Sequence, residues 1–347
     1  MKVPYISSLS VSQALRYSMA SAQSQLASSQ REVASGKVDD IGLELGRQTG
    51  RFVSLKSDMQ RLETIMHTNE LAASRMSVSQ DAIGQIMVRN QDLLENVASG
   101  FTQNIDPAIL AQIGEKVLSD TLGLLNTGQN GDYIFAGVNT DAPPVADYAT
   151  GPAKAAFDAA FLGFFGFDKN DPAAQSIDEA TMTTFLDTVV EPQFLGVDWT
   201  TTMSVASDEG ILSRITLTQS AVTSASANED GFRRTVMAGV ITMELFSGNL
   251  GAQALNAVAD KATELTGTAA AELSNLQGRL GLVEEQVSKA SEQIQSQSDL
   301  LAEYASSLEN VDPYEASVRL TSLLTQIETS YALTARLQQL SLMRFMA

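Results

Sequence analysis

From Phe52 onward the apolar positions step alternately by three and four residues: Phe52, Leu55, Met59, Leu62, Met66, Asn69, Ala73, Met76, Gln80, Ile83, Met87, Asn90, Leu94, Val97 and Phe101. Only Asn69, Gln80 and Asn90 interrupt that run. A second seam runs Leu273, Leu276, Leu280, Val283, Val287, Ala290, Ile294, Gln297, Leu301, Tyr304, Leu308 and Val311, interrupted only at Gln297. A spacing of about 3.5 residues, held over many heptads, keeps one stripe of a helix facing a partner helix. Both segments are therefore predicted to be long coiled-coil-like helices, each roughly 60 to 75 Å at about 1.5 Å per residue. The spacing continues more weakly in Leu15, Met19, Ala22, Leu26, Ser29 and Val33, and a broader stripe follows in Leu320, Leu323, Leu324, Ile327, Tyr331, Leu337 and Leu340. Each end of the chain is expected to be an amphipathic helix, its stripe covered either by an ordinary core or by another subunit.

Helix breakers divide the chain between these seams. Five of the eight prolines, Pro143, Pro144, Pro152, Pro172 and Pro192, fall in one window, leaving Tyr5 to Asp106 and Gln193 to Asp312 free of proline. Pro107 and Pro313 each follow an Asp suited to cap a new helix, and Glu315 stands where a capping-box acid would. Val197, Trp199, Thr201, Met203 and Val205 alternate with polar residues, as do Ile211, Ser213, Ile215 and Leu217 after a Ser207-Asp208-Glu209-Gly210 turn, which predicts a β-hairpin. A short strand, Tyr133 to Ala136, is expected after Asn130-Gly131. The predicted fold is mainly α: a long antiparallel coiled-coil-like helical rod (41–140 and 233–312), terminal helices (1–40 and 313–347), and a nested, β-containing α+β insertion domain (141–232).

Charge sharpens this layout. The net charge of -19 is spread as +2 over residues 1–60, -5 over 61–140, -11 over 141–232, -6 over 233–312 and +1 over 313–347. Like charges repel when copies pack side by side, so near-neutral ends suit crowding and an acidic middle suits water. Neither nucleic acid nor an anionic membrane fits as partner, since both require clustered Lys and Arg. Met1 to Ser10 contains no apolar run resembling a cleavable signal, and no apolar stretch is long enough to span a membrane.

Little in the chain points to chemistry. There is no cysteine and a single histidine, His67, on the predicted surface of a helix beside its seam. The acid pairs Asp39-Asp40, Glu229-Asp230 and Glu284-Glu285 match no metal-ligand spacing and are expected on solvated faces. Gly163 and Gly166, among Phe161, Phe164, Phe165 and Phe167, lack the context of a phosphate loop, and the aromatic cluster is expected to be core. No catalytic, cofactor-binding or metal-binding residue is assigned and no cofactor is expected.

Several stretches resemble a known family. Leu15-Arg16-Tyr17, Gln25-Leu26 and Ala34-Ser35-Gly36-Lys37 resemble the opening of flagellins and hook-associated proteins. Gly131, Tyr133, Phe135 and Gly137, followed by Thr140 and Pro143-Pro144, are similar to the Gly-x-Tyr-x-Phe-x-Gly element of the hook-associated protein 3 family, the hook-filament junction branch of the flagellin family. The tail, Ser330-Tyr331-Ala332 through Leu340-Ser341-Leu342 and Phe345, is similar to that family's last helix. The chain departs from it after Gly36-Lys37, where Val38-Asp39-Asp40-Ile41-Gly42 replaces a proline-bearing turn.

The resemblance implies a non-enzymatic, flagellin-like fold. It also implies export through the flagellar secretion apparatus without a cleaved signal, and a place in the extracellular flagellum. The implied partners are copies of the chain itself, hook-associated protein 1, flagellin and an export chaperone. The expected assembly residues are Leu15, Met19, Leu26, Val33, Leu320, Leu324, Ile327, Tyr331, Leu337 and Leu340. Short helices are marginal alone, so the termini are expected to order on assembly. A flagellin-type filament subunit and a cytoplasmic coiled-coil scaffold remain as alternatives.

Overall fold

Helices account for most of the chain: α1 (Ser8–Ser35), α2 (Ile41–Leu45), α3 (Thr49–Gly100), α4 (Pro107–Leu125), α5 (Pro152–Phe165), α6 (Glu179–Phe185), α7 (Glu191–Leu195), α8 (Trp199–Thr202), α9 (Asp230–Phe246), α10 (Ala252–Glu309) and α11 (Pro313–Met346). Two antiparallel two-stranded ribbons, β1 (Gly128–Gln129) with β2 (Asp132–Tyr133) and β3 (Leu212–Arg214) with β4 (Ser220–Val222), complete the described strands. This computed structural model describes residues 8–100 and 105–346. The fold is mainly α, as the periodicity predicts. The chain forms two compact units, Thr64–Ile294 and Met1–Glu63 with Gln295–Ala347.

In the unit Thr64–Ile294, Asn69, Gln80 and Asn90 of α3 meet Ser291, Glu284 and Thr266 of α10 in descending order, so the two helices run antiparallel. One column of the predicted α3 seam, Leu62, Asn69, Met76, Ile83, Asn90 and Val97, is fully buried. The other buried column is Ile65, Ala72, Ser79, Ile86 and Leu93, one residue before the expected Met66, Ala73, Gln80, Met87 and Leu94, which are half-buried. Both columns are mostly apolar, and a helix packed on more than one neighbour buries a stripe wider than a two-helix seam. Phe101 lies outside the described residues. On α10 the predicted positions are buried or half-buried from Leu273 to Ile294, but Gln297 and Tyr304 are exposed and Ala305 and Glu309 are buried instead. The run from Ile294 to Ala305 thus behaves as an eleven-residue step, a local stutter in the heptads.

Acidic residues set many of the helix starts. Asp40, Asp106, Asp171, Asp178 and Asp312 each accept a backbone N–H of the following turn, at 2.8 to 3.0 Å. Pro107 and Pro313 open their helices as expected, while the Glu315 carboxylate pairs with Arg319 at 3.1 Å rather than closing a capping box. Pro152, Pro172 and Pro192 also sit in first turns, so the proline-rich window is a set of short helices. Its core holds Phe157, Phe161, Phe185, Phe194 and Trp199, and is continuous with residues of α3, α4, α9 and α10.

The predicted hairpin is displaced. Residues 199–202 form a helical turn, with Trp199 and Met203 buried one turn apart and Val197 and Val205 exposed. Alternation over so short a run does not separate a strand from a helical turn, and the two apolar residues that matter are four apart. Of the expected hairpin, 212–214 pairs with Ser220–Val222, while Ser204 at the end of the first run makes an isolated antiparallel bridge to Val145 instead. Ile215 and Ala221 of this ribbon dock on Met76, Val287 and Ala290 in a small cluster of their own.

The segment Gly131–Gly137 ties several elements together. Asn130 and Gly131, at φ 56° and 97°, turn the chain between β1 and β2, and Asp132 pairs with Arg75 of α3 at 3.0 Å. Tyr133 is half-buried, its N–H donating to the Thr140 carbonyl at 3.0 Å. Phe135 is fully buried, edge-on to Phe232 with centroids 5.2 Å apart. Pro143 is exposed, whereas Pro144 is buried. Gly137 has φ 64°, and a Cβ there would stand 2.3 Å from the Ser207 carbonyl oxygen. Gly137→Ala is expected to lower the free energy of unfolding by more than about 2 kcal/mol in a denaturant titration. A loss below about 0.5 kcal/mol would mean that the backbone there adapts freely.

Candidate functional site: the terminal helix pair

Helix α1 ends at a sequence-encoded stop. Gly36 takes a left-handed φ of 70° and its N–H donates to the Glu32 carbonyl at 2.8 Å. The chain then runs beside the link between α10 and α11: Lys37 faces Asn310 in an antiparallel bridge, Val38 N–H donates to the Glu309 carbonyl at 2.8 Å, and Val311 N–H donates to the Gly36 carbonyl at 3.0 Å. Charge reinforces this junction. Lys37 Nζ lies 2.8 Å and Lys56 Nζ 3.7 Å from the Glu309 carboxylate, and the Lys37 contact, aided by Lys56, holds that carboxyl below the ordinary range against the opposing effect of burial.

The proline-free connector has its own brace. Arg31 grips Asp39 with two nitrogens, at 2.5 and 2.6 Å, and the Ser28 hydroxyl donates to the same carboxylate at 2.6 Å. These contacts, Arg31 first, hold the Asp39 carboxyl at about 2. Asp40 meanwhile caps α2 through Leu43 N–H at 3.0 Å. Asp39 and Asp40, expected on a solvated face, therefore shape the connector. The other acid pairs are also engaged: Glu229 with Arg279, Asp230 with Arg233, Glu284 with Gln80 and Glu285 with Lys289.

Helices α1 and α11 pack along one another in antiparallel fashion. Arg319 lies 3.6 Å from the buried Glu32, Gln23 Nε2 donates to Tyr331 Oη at 3.0 Å, and the Thr334 hydroxyl lies 3.9 Å from Met19 Sδ. Ala22 and Ser29 on one helix and Ala316, Leu323 and Ile327 on the other are buried. Each helix thus supplies the other with a partner inside one chain, where the sequence suggests stripes left uncovered until assembly. Of the expected assembly residues, Leu15, Met19, Leu26 and Leu320 are half-buried beside this pair and Ile327 is buried. Val33, Leu324 and Tyr331 are exposed, Leu324 at 42%. The side chains of Leu337 and Leu340 lie outside the described residues.

Much apolar surface remains open on both helices. Tyr17 and Tyr314 are each 81% exposed, and Val318 and Leu333 are exposed as well. Leu324 and Tyr331, seven apart, share one face of α11, and Tyr314 and Val318, four apart, share another. These helices carry few charges, three in the 28 residues of α1 and five in the 34 of α11. A surface of this kind dehydrates readily against another helix, since few ions must be stripped of water. His67, by contrast, is a surface residue of α3, 3.7 Å from Glu70.

Residues 6–140 match the bacterial flagellin N-terminal helical region, and residues 263–346 match the bacterial flagellin C-terminal helical region, together more than half of the chain. The chain belongs to the flagellin family. That family is structural and non-enzymatic, its members exported flagellar components that self-assemble into filaments. No curated protein matched the chain. Both helices of the terminal pair fall inside the matched regions, as does Gly131–Gly137. Among the described residues, no helix is long and apolar enough to cross a membrane.

The ionic contacts of the connector leave no local signal in the sequence. Arg31 and Asp39 are eight residues apart across a helix end, and Lys37 and Glu309 meet only after the chain has folded back. A carboxylate with a depressed folded pKa stabilises the fold above its unfolded value of about 3.9 and loses that contribution as the pH falls toward the folded value. Amide protection of residues 28–40 is therefore expected to fall between about pH 4 and pH 2. The Asp39→Asn chain should start with weaker protection and lack this part of the fall. Identical titrations would show that the Arg31 clamp does not hold the connector.

Proposed function

We propose that this flagellin-family chain is the hook-filament junction subunit, joined to hook-associated protein 1 on one side and to flagellin on the other, and exported without a cleaved signal, with or without a chaperone. Residues 1–40 and 313–347 line the axial core, 41–140 and 233–312 form the rod, and 141–232 face outward. The observation that carries the reading is the terminal pair, already packed within the chain yet still presenting Tyr17, Leu324, Tyr331 and Tyr314 on helices of low charge. Such a pair docks as a unit, and its mechanical role follows from side-chain packing that resists bending. The junction role itself is supported by the resemblance of Gly131, Tyr133, Phe135, Gly137 and Pro143 to that branch of the family. A flagellin-type filament subunit is the second reading, favoured by the match of both helical regions to flagellin.

Deleting the gene in its motile host distinguishes the two. Hooks without filaments, with flagellin shed into the medium, are expected for the junction subunit. Hooks with their junction proteins intact but lacking this filament protein would make it a flagellin, and normal flagella would overturn both readings. Leu324 offers the cleaner point test because it is exposed, whereas Ile327 is buried within the chain. Leu324→Glu is expected to abolish assembly while changing the free energy of unfolding by no more than about 0.5 kcal/mol. Normal assembly of that variant would remove this face of α11 from the interface.

A further inference from the structure

Carboxylates outnumber Lys and Arg by 29 to 11 in the unit Thr64–Ile294, so a cation there is seldom far from a partner. Ten of the eleven form an ion pair with a carboxylate. Among the described residues of the unit, Arg214 is the exception: it is exposed on β3 and has no hydrogen bond, ion pair or ring contact. Its neighbours on that face are apolar. Leu212, 67% exposed, stands opposite the exposed Val222, Arg214 stands opposite Ser220, and Leu217 is exposed at the tip of the ribbon. Residues 215–228 carry no charge, although they lie in a block, 141–232, of net charge -11. The opposite face of the ribbon is closed. Ile215 and Ala221 dock on Met76, Val287 and Ala290, and the Ile215 carbonyl accepts Asn69 Nδ2 at 3.0 Å. The outer face thus stands on a braced support, which leaves little backbone freedom to be lost when it is covered.

We infer that this outer face of the β3–β4 ribbon is a contact surface for a second copy of the chain, with Leu212 and Val222 as its apolar seat and Arg214 pairing with a carboxylate of the other copy. An arginine set among apolar residues suits such a contact, because guanidinium is weakly hydrated and meets a carboxylate through two parallel bonds. Charge selects the occupant. One free cation in a block of net charge -11 does not hold nucleic acid or an anionic membrane, whereas acid-bearing surfaces are what each copy of this chain offers. The family self-assembles, so copies meet. Two ribbons face to face would leave both arginines without a carboxylate, so the contact joins the ribbon to a different, acidic surface of the next copy. A heterologous contact of that kind propagates along an array. The inference rests on the family's self-assembly and not on the junction role, and it holds for a junction or a filament subunit alike.

The chain has no cysteine, so Leu217→Cys places a single benzophenone maleimide at the ribbon tip while leaving Arg214 in place. Irradiation of the labelled full-length chain at about 100 µM, where contacts of modest affinity are populated, is expected to give crosslinked dimers. Arg214→Ala, and separately Leu212→Ser with Val222→Ser, are each expected to lower the dimer yield at least about five-fold with no fall in the unfolding temperature, since these side chains are exposed in the single chain. Absence of dimers, or a yield indifferent to Arg214, would overturn the inference. So would label transfer only to a different acidic protein when the same chain is irradiated in an extract of its motile host.

Discussion

The structure depends on one requirement: the apolar columns of α3 and α10 must be taken out of water, and antiparallel packing of the two helices covers them together with the elements around them. Most of the stability of such helices comes from the buried stripe rather than from intrinsic propensity. Once that pairing is made between Asn69 and Thr266, α4 and α9 pack on each other and contribute to the same core, and the short helices between Pro152 and Thr202 bury their aromatic residues in it. Asn90 and Asn69 are polar residues buried inside the seam, and both are engaged by hydrogen bonds that cross between elements.

Acidity plays a local part as well as a global one. Five aspartates cap turns, where a carboxylate meets unsatisfied N–H groups and the positive end of the helix dipole. The near-neutral termini are different. Their ions are few, and beyond Arg31 with Asp39 and Lys37 and Lys56 with Glu309 at the connector, α1 and α11 carry long runs of Ser, Thr, Gln, Ala and exposed apolar residues. Near-neutral ends suit crowding, and an acidic middle suits contact with water.

Patterns that repeat over many residues were legible. The two long helices, one column of the α3 seam, the amphipathic ends, the capped starts at Pro107 and Pro313 and the Asn130-Gly131 turn stand where the sequence suggests. Short patterns misled: the alternation from Val197 to Val205 is equally the i, i+4 pair of a helical turn, and the window of prolines reads as a break although three of them begin helices. At the candidate site, the low charge and apolar stripes of the ends could be read in advance. Which of their residues face each other could not, since Ile327 and Leu324 are both apolar and only the position of α1 buries the first and leaves the second open.

The sequence by itself determined the helical class, the acidity of the middle of the chain, and the resemblance to a family matched at both ends. These follow from period, composition and short motifs, which are local properties of the chain. Tertiary structure decided the second buried column of α3, the stutter after Ile294, the displaced ribbon and the contacts of Asp39 and Glu309. Each of those depends on a neighbour distant in the chain or on a turn that brings two segments together. Several residues offer the same chemistry, and geometry alone selects the one that is buried or paired.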